Sequence, residues 1–295
     1  MRRRSAIRDT LEYWIALVVV GSLRRAPLPA AKALARGYTR LLDLALPRLR
    51  QVAFANLAMA LPEQGATEHR RIVDGVFRSI ARLLVTFARF QDIDAKNVKS
   101  WIRYEGYEHF EQAREKGRGV LFATAHLGNW ELSAFAHALL SAPMNVVVRP
   151  LDNPKIDALV ETRRTHSGNR LIGKREYARG ILKALRDNEA VGILVDQNAS
   201  LEEGTFVDFF GVPACAGTGF AKLAARSGAA VIPGFALWIE QEKRYVLRFY
   251  PPLEVTGDVD QDTRELHRRL ETVIREFPDQ WLWIHRRWKT RPPSA

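Results

Sequence analysis

The sequence predicts an α/β protein with a central, largely parallel or mixed sheet flanked by helices, preceded by a helical N-terminal region that associates with a membrane. Three observations carry this. Short segments such as residues 120–123, 145–148 and 190–195 are apolar at consecutive positions, as in strands buried on both faces. Helical periodicity fills the intervals between them, and such alternation marks a parallel sheet. The basic excess is confined to the two ends: residues 1–50 hold eleven Lys/Arg against three acids, and residues 281–295 hold Arg286, Arg287, Lys289 and Arg291 with no acid, within a net charge of +12.

Length and composition set the outer bounds. A chain of 295 residues with 47% apolar content fits one large α/β unit with a sizeable core. A single cysteine, Cys215, excludes an intrachain disulfide and a cysteine-rich zinc site, and fits a reducing compartment.

At the N-terminus, Arg2-Arg3-Arg4 and Arg8 precede an apolar core over residues 13–23, which Arg24-Arg25 close. Eleven residues fall short of the roughly 20 needed to span a bilayer. The basic start also suits a signal peptide, but Arg24-Arg25-Ala-Pro is a poor cleavage site. An interfacial helix, with Tyr13 and Trp14 at headgroup depth and flanking arginines snorkelling, fits better, and a buried core helix is the plain alternative. Residues 29–61 read as helix broken by Pro47 and Pro62, and residues 67–90 as a further helix opened by a Thr67 cap. We place a boundary after residue 62: membrane-associating helices over 1–62, then an α/β unit over 63–295, the two packed together.

Within the second region, residues 101–105 alternate as a strand and 106–115 as a helix. Residues 119–135 follow as strand, Gly-Asn loop and helix, then a strand over 145–148 and a helix opened by Asn153-Pro154. A helix over 177–188 leads to a strand over 190–195 that stops at Asp196-Gln197-Asn198. A hairpin-like stretch at 205–211, a helix near 219–226, strands over 230–237 and 245–249 and a helix over 261–276 complete the chain.

Three strand ends deliver polar groups in one sense: His126, Arg149 and Asp196-Gln197. In open α/β sheets that edge is where ligands bind. Glu131 follows His126 by five residues, about 140° away on a continuous helix, so the two would not share a helix face. They meet only if His126 lies in the loop and Glu131 in the first helical turn, where the helix dipole favours a carboxylate. Glu131 would then fix the imidazole tautomer, as the third member of a catalytic triad does. Each group also has a plainer role: a loop hydrogen bond for His126, an ion pair for Arg149, a turn cap for Asp196. No Gly-x-Ser-x-Gly elbow, Gly-x-Gly-x-x-Gly loop, phosphate loop or His-Glu-x-x-His is present, and the histidine spacing does not support a metal.

The stretch His126-Leu-Gly-Asn-Trp-Glu131 resembles the His-x4-Asp/Glu motif of the glycerolipid acyltransferases, in the form typical of the bacterial lipid A biosynthesis (lauroyl/myristoyl-type) acyltransferases. The resemblance extends over nearly the whole chain. It takes in Tyr13-Trp14, Asn56-Leu57 with Pro62-Glu63, Asn153-Pro154 with Arg164 and Gly168, Asp196-Gln197 with Phe209-Phe210-Gly211, Ile232-Pro233, and the terminal Trp283-Ile-His285-Arg286-Arg287-Trp288. A lone His-x4-Glu would be weak, whereas this ordered set is specific.

The resemblance implies transfer of an acyl chain from an acyl carrier protein thioester, or acyl-CoA, to a hydroxyl of a lipid A precursor at the cytoplasmic face of the inner membrane, with no cofactor. His126 is then expected as general base and Glu131 as its support, a contribution of roughly 10²–10⁴ in rate. Backbone N–H groups around Gly128-Asn129 or an arginine would stabilise the oxyanion. Asn129, Arg149, Arg164, Asp196 and Gln197 are expected to contact substrate, with Arg149, Arg164 and Arg286-Arg287 as candidates for sugar phosphates. Transfer is expected to be direct, without an acyl-enzyme. Basic surface would also suit an acidic carrier protein. Other readings are an acyltransferase for another glycolipid, such as a phosphatidylinositol mannoside, and a non-catalytic membrane-bound lipid or carrier-protein binder. Nucleic-acid binding rests on the basic ends alone.

Overall fold

A computed structural model describes residues 5–173 and 177–293 of the chain. Seven strands form one sheet in the order β1-β9-β8-β2-β5-β3-β4, where β1 is Ile102–Glu105, β2 Val120–Thr124, β3 Asn145–Val147, β4 Arg170–Ile172, β5 Ala190–Leu194, β8 Ala230–Ile239 and β9 Arg244–Phe249. Every neighbouring pair is parallel except β8 with β9. The expected mixed, mostly parallel sheet is therefore present. Two further strands, β6 (Gly204–Phe209) and β7 (Val212–Gly217), form a separate antiparallel hairpin.

Alternation along β2 divides the core. Val120 and Phe122 face one cluster with Phe110, Phe135, Ile232 and Phe249. Leu121 and Ala123 face the other, with Ile181, Leu223 and Val231. The first face is covered by α5 (Glu108–Glu115) and α6 (Trp130–Leu140), and the second by α8 (Tyr177–Arg186), α9 (Gly219–Ser227) and α10 (Val259–Glu276). Side chains pack against both faces of the centre, which is why β2 reads as an unbroken apolar run.

Four helices precede the sheet: α1 (Ala6–Arg25), α2 (Leu28–Ala45), α3 (Pro47–Ala60) and α4 (Ala66–Ala88). Helix α1 starts ahead of its apolar stretch, and within those added turns Arg8 and Glu12, one turn apart, pair at 2.8 Å. Helix α4 opens at Gly65 rather than at a Thr67 cap, so Thr67 lies already inside its first turn. Leu23, Ala31, Ala35, Ala81 and Val85 join α1 and α2 to α4. Among the described residues no helix is long and apolar enough to cross a membrane.

Helix α7 (Pro154–Arg164) begins as expected, with the Asn153 side chain accepting from the N–H groups of Lys155 and Ile156 at 3.0 and 3.3 Å. The short β4 had no counterpart in the sequence reading.

Candidate active site

The site is built on the carboxyl ends of β2 and β5. These neighbours are parallel with Thr124 opposite Leu194, so two residues further on His126 stands beside Asp196. Asp196 Oδ1 lies 2.9 Å from His126 Nδ1, while Oδ2 accepts from the His126 backbone N–H at 2.9 Å and from the Trp281 indole N–H at 2.8 Å. Burial alone would raise the Asp196 carboxyl, but the His126 charge and these donors outweigh it and hold the group down at about 2. For His126, burial opposes protonation, yet the charges of Asp196 and then Glu131 carry its pKa above the ordinary 6.5 against an opposing influence from Arg164. The imidazole is thus tethered at Nδ1 by a buried anion, while among the described residues Nε2 has only the Gln197 amide nitrogen near it, at 3.5 Å.

The loop around His126 is clamped. The Gly128 N–H donates to Gln280 at 3.0 Å, the Asn129 N–H to Ala236 at 2.8 Å, and the Leu282 N–H to the His126 carbonyl at 3.0 Å. Gly128 has φ +66°, and a Cβ there would lie 2.0 Å from the Ala236 carbonyl oxygen. Only glycine lets the chain pass β8 this closely. Gly128→Ala is accordingly expected to destabilise the fold by roughly 3 kcal/mol or more, read as a lowered denaturation midpoint; an unchanged midpoint would contradict the close approach.

Two expectations fail at this loop. The Gly128 and Asn129 N–H groups are already bonded to carbonyls, so neither serves an oxyanion. Asn129 is fully buried, its side chain capping α6 at Leu132 N–H (3.0 Å) and donating to Thr86 at 2.7 Å, and it does not reach a substrate. A Gly-Asn turn before a helix looks the same in sequence whether the asparagine caps or binds.

Glu131 does lie in the first turn of α6, but its hydrogen bonds go elsewhere. Arg164 of α7 holds its carboxylate through Nε at 2.9 Å and Nη2 at 2.5 Å. The ring nitrogen expected to face Glu131 faces Asp196 instead, because the β2–β5 register brings that carboxylate into the plane of the loop. Glu131 acts on His126 through its charge. Arg164 is correspondingly committed to Glu131 and is not a free anion receptor. Arg287 is also no candidate for sugar phosphates: it is fully buried, its Nη1 donating to the Cys215 carbonyl at 2.6 Å.

His126, Glu131, Arg149, Arg164 and Gln197 line one cavity of about 910 Å³. Exposed Arg149, Leu151 and Asp152 lie at its rim; its buried lining combines Phe122, Met144 and Phe249 with the polar Asn169 and His137. Two strands present glycine to the floor, Gly192 on β5 and Gly234 on β8; the Met144 side chain packs directly over Gly192, where a Cβ would lie 2.7 Å from its terminal methyl. Gln197 Nε2 lies 3.5 Å from His126 Nε2, at the reacting side of the ring, and Trp130 packs against that ring at 5.0 Å. Arg149 is exposed and has no ion-pair partner among the described residues. Such a cavity suits a long apolar chain whose polar end stops at His126. A depression of about 940 Å³ along α10 is lined by charged groups that pair with each other, such as Arg268 with Glu265, and offers no comparable apolar wall. Among the described residues no group of three or more His, Cys, Asp or Glu could hold a metal ion.

The residues missed in sequence are Trp281, whose indole anchors Asp196, and the inner lining of the cavity. Trp281 sits in the aromatic C-terminal run, and only its cross-bridge to Leu127 reveals the contact.

Comparison with known proteins finds relatives along nearly the whole chain. The chain is 28% identical over 289 residues to the lipid A biosynthesis lauroyltransferase of Escherichia coli K12, covering 96% of this chain and 94% of that protein. It is 30% identical over 284 residues to the palmitoleoyltransferase of the same organism, covering 95% and 91%. To the myristoyltransferase it is 24% identical over 247 residues, covering 83% and 76%. Residues 1–290 match the bacterial lipid A biosynthesis acyltransferase family along their length, and the chain belongs to that family.

Proposed function

We propose that this protein transfers a fatty acyl chain from a thioester of acyl carrier protein or coenzyme A to a hydroxyl of a lipid A precursor, without a covalent acyl-enzyme. The observation that carries this reading is the His126–Asp196 pair, with His126 lining a cavity that also holds Phe122, Met144 and Phe249. The acceptor hydroxyl gives its proton to His126 Nε2 as its oxygen attacks the thioester carbonyl. The C–S bond then breaks, and the imidazolium returns the proton to the departing thiolate. Asp196 holds the tautomer with the proton on Nδ1, and the neighbouring carboxylate of Glu131 lowers the cost of the imidazolium. The Gln197 amide is positioned to donate to the developing oxyanion, in place of the occupied loop N–H groups. No protein nucleophile is called for, and Cys215 lies outside the cavity lining.

Mass spectrometry of a lipid A precursor incubated with the protein and an acyl carrier protein thioester tests the reading. A product heavier by one acyl chain is expected; an unchanged acceptor with a range of donors would overturn it.

The acceptor is a membrane lipid, and α1 supports delivery at a bilayer surface. Ile7, Leu11, Trp14, Ile15 and Val18 are 82, 61, 60, 56 and 65% exposed and fall in one stripe at helical spacing. Flanking arginines would meet the anionic cytoplasmic leaflet. Because these side chains are exposed, Leu11→Glu, Trp14→Glu and Val18→Glu together leave the packing intact. They are expected to reduce sedimentation with anionic vesicles more than tenfold, and unchanged sedimentation would sink the interfacial role of α1.

A further inference from the structure

Gln197 is exposed, and its approach to His126 Nε2 at 3.5 Å is the one hydrogen-bond contact of its side chain among the described residues. A donor for a developing oxyanion is effective when it is fixed before the charge appears. An exposed glutamine turns about several side-chain torsions and is not fixed by its own packing. Its placement therefore depends on the main chain on either side of it. On one side is Asp196, tied by three hydrogen bonds. On the other is Asn198.

The Asn198 amide is matched at both ends by one residue. Oδ1 accepts from the Thr290 N–H at 3.0 Å, and Nδ2 donates to Thr290 Oγ1 at 2.9 Å. The Asn198 amide and the Thr290 hydroxyl both donate to the Ala199 carbonyl, at 2.9 and 2.8 Å, which closes the set. Thr290 is itself placed by the segment before it. There the Leu282 N–H donates to the His126 carbonyl at 3.0 Å, and Asn56 Nδ2 of α3 donates to the carbonyls of Trp283 and His285, each at 2.7 Å. One C-terminal segment thus holds the loop of His126 through residue 282 and the loop of Gln197 through residue 290. Neither Asn198 nor Thr290 lines the cavity, so substrate contact does not explain this arrangement.

We propose that Asn198 and Thr290 are positioning residues for acyl transfer, their paired hydrogen bonds holding the Gln197 amide beside His126 Nε2, where the oxyanion forms. This rests on the acyl-transfer reading above and on the part Gln197 plays in it.

The test is a double-mutant cycle read as kcat and KM for a lipid A precursor, with a dodecanoyl acyl carrier protein thioester as donor. Thr290→Val removes the hydroxyl and keeps the shape and the N–H. The Asn198 main chain stays bridged to Ala216 and its N–H stays 3.4 Å from His285 Nε2, so the loop is expected to loosen without unfolding. Gln197→Ala is expected to lower kcat by about 10²–10³-fold. Thr290→Val is expected to lower kcat on the order of tenfold with KM unchanged, and Thr290→Ser to restore it. Added to Gln197→Ala, Thr290→Val should change kcat by less than about twofold, because the group it positions is gone. An equal loss in both backgrounds would make Thr290 a structural residue and overturn the proposal. Wild-type kcat in Thr290→Val, or in Gln197→Ala, overturns it as well. Asn198→Ala, taken through the same cycle, gives the same decision if Thr290→Val does not fold. Absence of turnover by the wild type with a range of donors would instead bring down the acyl-transfer reading.

Discussion

His126→Ala is expected to lower acyl transfer by about 10²–10⁴-fold, the range for removal of a positioned general base, while the protein stays folded and keeps its affinity for vesicles. The retained fold follows from the hydrogen bonding of Asp196. A buried carboxylate stripped of its only partner would be strongly destabilising. Here, however, the bond to Nδ1 is one of three, and Oδ2 keeps the backbone N–H of residue 126 and the Trp281 indole N–H at 2.9 and 2.8 Å. The loop itself is held by Gly128, Asn129 and Leu282 through main-chain bonds that the substitution does not touch. Turnover measured by lipid mass spectrometry, with thermal unfolding followed in parallel, separates chemistry from folding. Turnover near that of the wild type in a folded His126→Ala protein would remove His126 from the mechanism.

The elements that place the site were legible because burial on both faces writes itself into sequence. Residues 120–124, 190–194 and 230–239 are apolar at nearly every position, and the sheet stacks them side by side. What the sequence could not convey is register. His126 and Asp196 are 70 residues apart, and only the pairing of Thr124 with Leu194 sets one opposite the other. Proximity along the chain therefore favoured Glu131 as the partner of His126, although Arg164, 33 residues away, claims it. Arg287 misled for a different reason. A basic, aromatic terminus normally marks a solvated or membrane-facing surface, yet its guanidinium is buried over the Phe209 ring at 5.3 Å. The strand β4 escaped notice because three residues with two apolar side chains are too few to show a period.

Asp196→Asn discriminates between the two carboxylates, because the donors around Asp196 dictate how an amide would sit. Oδ2 faces two N–H groups that cannot move, the His126 backbone and the Trp281 indole, so the amide oxygen takes that position. The amide nitrogen then falls where Oδ1 was, 2.9 Å from His126 Nδ1. Two donors cannot face each other there, so the ring surrenders its Nδ1 proton and carries it on Nε2, the nitrogen that must accept the substrate proton. The corresponding carboxylate-to-amide change in serine proteases costs about 10⁴ in kcat by the same tautomer inversion, and a loss on the order of 10³–10⁴ is expected here. Nitrogen-15 NMR of the histidine ring should show the Nδ1–H form in the wild type and in Glu131→Gln, whose Asp196 bond is intact, and the Nε2–H form in Asp196→Asn. The pH profile gives an independent reading. The base works only when neutral, and the wild-type pKa lies above 6.5, so activity should fall with decreasing pH through a midpoint above that value. Removing either negative charge lowers the His126 pKa and moves this limb to lower pH, further for Asp196→Asn because Asp196 contributes both a charge and a hydrogen bond. An Asp196→Asn protein that keeps the Nδ1–H tautomer and wild-type turnover would return the orienting role to Glu131.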